Sequence, residues 1–155
     1  TPRSNRRQRQ MCIRDRARTG RVTVALDRDR EALRVCAARA GGLPVRTLLA
    51  DVERPPQIPL ASGSCDGILV FRFLNRALVG EIQRVLAPGG LLVYETFTSR
   101  QRELGYGPRN AAFLLVDDEL PALFGDLVPE HHEEGIFDSP RPLALARLIA
   151  RKPAD

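Results

Sequence analysis

Two aspartates stand at matching points of the chain. "RVTVALD" (residues 21–27) is a β-branched, apolar run that closes at Asp27, and "PVRTLLAD" (44–51) is a second that closes at Asp51. An ionised carboxylate placed where a buried strand leaves the core can accept two hydrogen bonds from vicinal ribose hydroxyls. In a doubly wound sheet, ligands sit beyond the carboxyl ends of the strands, where both aspartates fall. A structural role competes at Asp27, because Asp27 and Asp29 both precede a helical stretch and either could cap it. The repetition of the arrangement at Asp51 favours the binding role. The Phe71-Arg72 pair closes a third apolar run in the same way.

The elements that must position these residues alternate in type. "DREALRVCAARAGG" places Ala32, Leu33, Cys36 and Ala40 near helical spacing, and Gly41-Gly42 ends the helix. The proline-rich stretch "VERPPQIPLASGS" predicts a loop. A third strand is expected at 67–71, then a helix over "LNRALVGEIQRVL" with Leu78, Ile82, Val85 and Leu86 on one face, stopped and turned by "APGG". "LLVYETF" (91–97) is a fourth strand, and "DDELPALFGDL" is a short helix with acids in its first turn. "VPEHHEEGIF" and "LALARLIARK" read as a strand pair joined through "DSPRP". Strands alternating with helices, then two final strands, predict an α/β three-layer domain with a largely parallel sheet.

From about Ala17 to Lys152 the chain resembles the class I S-adenosylmethionine-dependent methyltransferases. "RVTVALDRDREAL" is similar to that family's second strand and its ribose-binding acid, and "LLADVE" to its third strand. "PLASGSCDGILVFRFL" is similar to the fourth-strand motif, and "IQRVLAPGGLLVYETF" to the helix, turn and fifth strand. "GPRNAAFLLVDDELPALF" followed by "HHEEGIF" resembles small bacterial members related to the tellurite-resistance type. The resemblance implies a Rossmann-like sheet, mostly parallel with a closing antiparallel strand pair, and S-adenosylmethionine as cofactor. It implies Asp27 as the ribose ligand, Asp51 as the adenine-amine ligand with Val52 against the ring, and Phe71 and Arg72 at the methionine edge. A small-molecule acceptor is implied; its identity, the atom methylated and any catalytic base are not.

One part of that pattern is missing. The family carries a first strand and a glycine-rich turn about 20 residues before the acid, but the first glycine here is Gly20, and residues 5–12 read "NRRQRQMC". "MCIRDR" back-translates as ATG-TGT-ATA-AGA-GAC-AG, which resembles the end of a transposon adapter, and the rest of the chain uses a single lysine, Lys152. Residues 1–16 are therefore expected to be a disordered, non-biological leader joined to a partial methyltransferase domain over 17–155. The missing strand would lie between the strand ending at Asp27 and the one beginning near Gly67; those two could pair directly. The chain as it stands is expected to aggregate or be marginally stable and to show no measurable methyl-donor binding.

Composition limits the remaining choices. The net charge of +5 is concentrated in residues 1–20, which hold seven arginines and one acid, so the rest of the chain is close to neutral. A basic arm can bind nucleic acid, but this one has no interleaved aromatics, and nucleic acid is not expected as a partner. No apolar run reaches the length of a membrane span, so no membrane association is expected. Three scattered cysteines form no metal-ligand spacing or disulfide framework and suit a cytoplasmic protein. His131 and His132 are adjacent, so on a strand they face opposite ways, and no metal is expected. Glu95, at the end of the fourth strand, is a candidate for the substrate side or for a purely structural pairing. Two other function classes remain: a nicotinamide-dependent Rossmann oxidoreductase, which shares the acid after the second strand, and a non-enzymatic basic-armed nucleic-acid-binding module.

Overall fold

The computed structural model describes residues 17–138 and 140–154. The expected leader, residues 1–16, lies outside them. The chain divides into two compact units, Thr1–Pro55 and Pro56–Asp155.

The first unit is a strand, a helix and a strand. β1 (Thr23–Asp27) and β2 (Val45–Leu49) pair in parallel, with Asp27 opposite Leu49. Between them runs α1 (Arg30–Ala40), closed by Gly41 in the left-handed conformation (φ 56°), where a Cβ would be strained. The α1 positions expected to be apolar, Ala32, Leu33, Cys36 and Ala40, are its buried ones. Leu33 and Cys36 meet Ala25 and Val45 in a small core, and burial pushes the Cys36 thiol above its ordinary pKa.

The second unit is a four-stranded mixed sheet in the order β3-β4-β6-β5. β3 (Cys65–Phe71) and β4 (Leu86–Phe97) are parallel. β6 (Pro142–Arg151) runs antiparallel to β4 and to β5 (Val128–Asp138), which is the expected closing hairpin. A 3₁₀ turn (Arg76–Leu78) leads into α2 (Val79–Val85), and α3 (Glu119–Leu123) precedes β5. Leu92, Tyr94, Leu148 and Ala150 are buried on one sheet face, where the Phe124 ring lies 5.5 Å from Tyr94.

Two expectations change. The long helix predicted over residues 74–86 is a 3₁₀ turn followed by seven α-helical residues. "APGG" does not turn the chain before the strand: β4 already begins at Leu86, opposite Cys65, and pairing resumes at Gly67–Leu91. Residues 87–90 form an irregularity inside the strand. Gly89 has φ 73°, and a Cβ on Gly90 would lie 2.7 Å from the Ala87 carbonyl oxygen. Lys152 fixes the same spot, its Nζ donating to the carbonyls of Gln83 and Leu86 at 2.7 Å each. Among the described residues β1 pairs with β2 alone, and β3 with β4 alone.

Candidate functional site

In the first unit the loops after β1 and β2 carry the expected acids at one end of the parallel pair. The Ala50 N–H donates to the Asp27 carbonyl at 3.1 Å, which holds the two strand ends together. The competing roles of Asp27 and Asp29 separate clearly. Asp29 is the helix cap: its Oδ1 accepts from the N–H groups of Glu31 (2.9 Å) and Ala32 (3.2 Å). Asp27 is half-buried, and its Oδ1 accepts from the Asp29 N–H at 2.9 Å. Its other carboxylate oxygen takes no hydrogen bond among the described residues. Asp51 is exposed and makes the same local turn, accepting from the Glu53 N–H at 2.9 Å. Val52 beside it is half-buried, and Arg28 bridges to Glu53 across the two loops at 2.5 Å. This unit thus offers acceptor oxygens and one apolar side chain at a strand-end crevice, a donor-poor arrangement suited to hydroxyl and amine hydrogens. This is the end of the sheet at which the resemblance expects the nucleoside part of S-adenosylmethionine. No glycine-rich turn for the methionine part is present among the described residues, where Gly20 alone precedes Asp27.

In the second unit Phe71 and Arg72 end β3, as expected, and then part ways. Arg72 is in the left-handed conformation (φ 55°) and donates its N–H to the Glu95 carbonyl at 2.8 Å. Its side chain is 1% exposed, bridges to Glu95 Oε1 at 3.0 Å and lies 4.9 Å from the Phe97 ring centroid. The guanidinium is thus buried against Glu95 and the Phe97 ring. Phe71 is half-buried and lines a concavity of about 260 Å³ with Val93, Glu95, His131, Glu133 and Arg147.

The sequence reading missed how far Glu95 is engaged. Its second oxygen accepts from Arg147 Nε at 2.6 Å, and Arg147 Nη1 reaches Glu133 at 3.0 Å. Burial works against the Arg147 charge, but its hydrogen bonds to Glu133 and Glu95 carry its pKa above the ordinary value. Hydrogen bonding from Arg147 lowers that of Glu133. Glu95 is thus engaged by two arginines, Arg72 and Arg147. The signal was available in the strand register, since Phe71, Glu95, Arg147 and Glu133 form one row across four strands; it needed the pairing order, which sequence alone does not give.

A family model described as "Methyltransferase domain" matches residues 11–94. No curated protein matches the chain. Among solved structures, a SAM-dependent methyltransferase from Methanosarcina mazei is similar at 18% identity, with a TM-score of 0.71 over 91% of this chain and 86% of that one. TehB from Haemophilus influenzae is similar at 16% identity and TM-score 0.65, over 83% of this chain and 49% of that one. Geranyl diphosphate C-methyltransferase from Streptomyces coelicolor A3(2), solved with S-adenosyl-L-homocysteine, is similar at 15% identity and TM-score 0.65, over 92% of this chain and 66% of that one. At such identities the structures speak for the fold, an α/β domain with a mixed sheet, and the match over more than half the sequence speaks for the lineage: this chain belongs to the methyltransferase-domain family.

Proposed function

We propose that the chain transfers a methyl group from S-adenosylmethionine to a small-molecule nucleophile, with Asp27 accepting the ribose hydroxyls. The observation that carries this reading is the division of labour between Asp27 and Asp29. The cap is supplied by Asp29, so Asp27, half-buried at the strand end, is not needed for it. Asp51 accepts from the adenine amine and Val52 packs on the ring. Phe71 and the backbone of Arg72 border the methionine side. When bound, the cofactor supplies an electrophilic methyl on a sulfonium, so the acceptor displaces an already activated sulfide. Positioning then does much of the catalysis, in keeping with a chain in which no base stands out. The family match favours this reading over hydride transfer and over nucleic-acid binding, neither of which has a finding behind it.

We also propose that residues 1–16 are foreign to the domain, although the family match begins at residue 11, and that the natural gene encodes a strand and glycine-rich turn before Ala17. Support comes from residues 5–12, which hold no glycine where the family carries its turn. The uninterrupted genomic DNA upstream of the Ala17 codon tests this, and clean sequence continuing into "MCIRDR" would disprove it. In the protein so restored, calorimetric titration with S-adenosylmethionine is expected to show Asp27→Ala weakening binding by about 1–3 kcal/mol, the cost of lost charge-assisted hydrogen bonds. An unchanged affinity would reduce Asp27 to a turn residue.

A further inference from the structure

We propose that Asp118, His132 and Glu134 form a binding site for one divalent cation of the zinc class. Strand β5 carries the run His-His-Glu-Glu at residues 131–134. Its pleat sends 131 and 133 to one face and 132 and 134 to the other. The two histidines do not converge, as the sequence indicated, but each meets the glutamate two residues on: His131 with Glu133 at 3.6 Å and His132 with Glu134 at 3.2 Å. These two pairs differ in their surroundings. Glu133 is ion-paired with Arg147, which leaves little negative charge for a cation. Glu134 has His132 as its ion-pair partner and gains a second carboxylate nearby, that of Asp118.

Asp118 stands in the turn before α3 in a left-handed conformation (φ 58°). Its N–H donates to Glu134 Oε2 at 3.3 Å, which brings the turn to the strand, and its own carboxylate does not cap the helix. One oxygen from each acid and a ring nitrogen of His132 all lie within 4.8 Å of one another. Two ligands on a tetrahedral zinc, with bonds of about 2.0–2.1 Å, stand roughly 3.3–3.4 Å apart. The 3.2 Å separation of His132 Nε2 and Glu134 Oε1 already has that spacing. Asp118, the third ligand, is exposed. An imidazole with two carboxylates suits a borderline cation rather than magnesium, which prefers oxygen ligands alone. Three protein ligands leave a coordination position for water or a ligand oxygen, and His132 (24% exposed) and Glu134 (18%) are reachable from solvent.

The test is calorimetric titration of the full chain, freed of metal by a chelator, with Zn²⁺ and separately with Mg²⁺. Expected are one equivalent of Zn²⁺ at micromolar affinity, no measurable Mg²⁺ binding, and a rise in melting temperature with zinc. Asp118→Asn and His132→Ala should each weaken Zn²⁺ at least tenfold, and His131→Ala should change nothing. Asparagine tolerates the left-handed conformation, so Asp118→Asn should melt like the metal-free parent yet lose the zinc-induced rise. This variant decides the matter if His132→Ala fails to fold. Absent Zn²⁺ binding, Mg²⁺ binding equal to Zn²⁺, or Zn²⁺ binding that survives Asp118→Asn would overturn the proposal, as would an equal loss in His131→Ala.

Discussion

At the scale of single residues, the chain shows how identity and neighbourhood divide the work. Tyr94 is buried, and burial pushes its hydroxyl well above the ordinary phenol range. That hydroxyl donates to the Phe73 carbonyl at 2.8 Å and so ties β4 to the loop that follows Phe71 and Arg72. Tyr94→Phe leaves the part-buried Phe73 carbonyl without this donor and is expected to cost about 0.5–1.5 kcal/mol in urea unfolding. Gly90 is a glycine for space rather than for backbone freedom. A Cβ there would meet the Ala87 oxygen at 2.7 Å and Leu86 Cδ1 at 2.9 Å, one of them backbone and unable to step aside. Gly90→Ala should destabilise by roughly 1–3 kcal/mol in the same assay, the usual range for overpacking. The aspartates were legible as strand-ending acids, because a polar residue closing an apolar run is written in the sequence. Which of Asp27 and Asp29 caps the helix was not legible, since both are the same residue type two positions apart and only backbone geometry separates them.

At the scale of elements, apolar periodicity located α1 and the strands to within a few residues, apart from the start of β4, because burial on one face leaves a period in the sequence. The Pro-Gly-Gly irregularity escaped that reading: Pro and Gly mark broken pairing equally whether the chain turns or bulges. The proline-rich loop before β3 shows a related limit. Its lack of regular structure was readable, but its anchor was not. Glu81, on α2, accepts from the Ile58 N–H at 2.9 Å, and Arg84 donates to the carbonyls of Ile58 and Leu60. Arg84 also grips Glu81 through two bonds of 2.8 Å. The hydrogen bonds from Arg84, then that from Ile58, hold the Glu81 pKa down to about 2. A carboxylate whose folded pKa is depressed contributes stability that is fully present above its unfolded pKa, here 4.5, and is lost as the pH falls toward 2. Unfolding midpoints measured from pH 5 down to pH 2 should therefore fall less steeply in Glu81→Gln than in the parent. Equal slopes would show that the anchor contributes nothing.

At the scale of the whole chain, the two units are unequal in what they bury. The first has a two-stranded sheet and a core built on Ala25, Leu33 and Cys36, with Val24 and Leu49 exposed. Two strands with one helix are close to the lower limit of independent stability. The second has four paired strands and fully buried Leu78, Leu86, Leu92, Leu115, Leu120, Leu145 and Phe124. Local opening follows such differences in buried apolar contacts. Amides in β1, together with Ala50 N–H on the Asp27 carbonyl, are thus expected to exchange with solvent at least about a hundredfold faster than amides in the centre of β4, a gap of roughly 3 kcal/mol. This bears on function, because the proposed ribose and adenine acceptors lie on the less stable unit. A ligand that binds only the folded form of this unit loses apparent affinity by the fraction of time that form is absent, and returns stability to it when bound. Adding S-adenosylmethionine to the restored protein should slow exchange at Ala50 and along β1 more than along β4. Asp27→Ala should abolish that slowing while leaving β4 unaffected. Protection that rises equally in both strands, or that survives the substitution, would place the donor somewhere other than the end of β1.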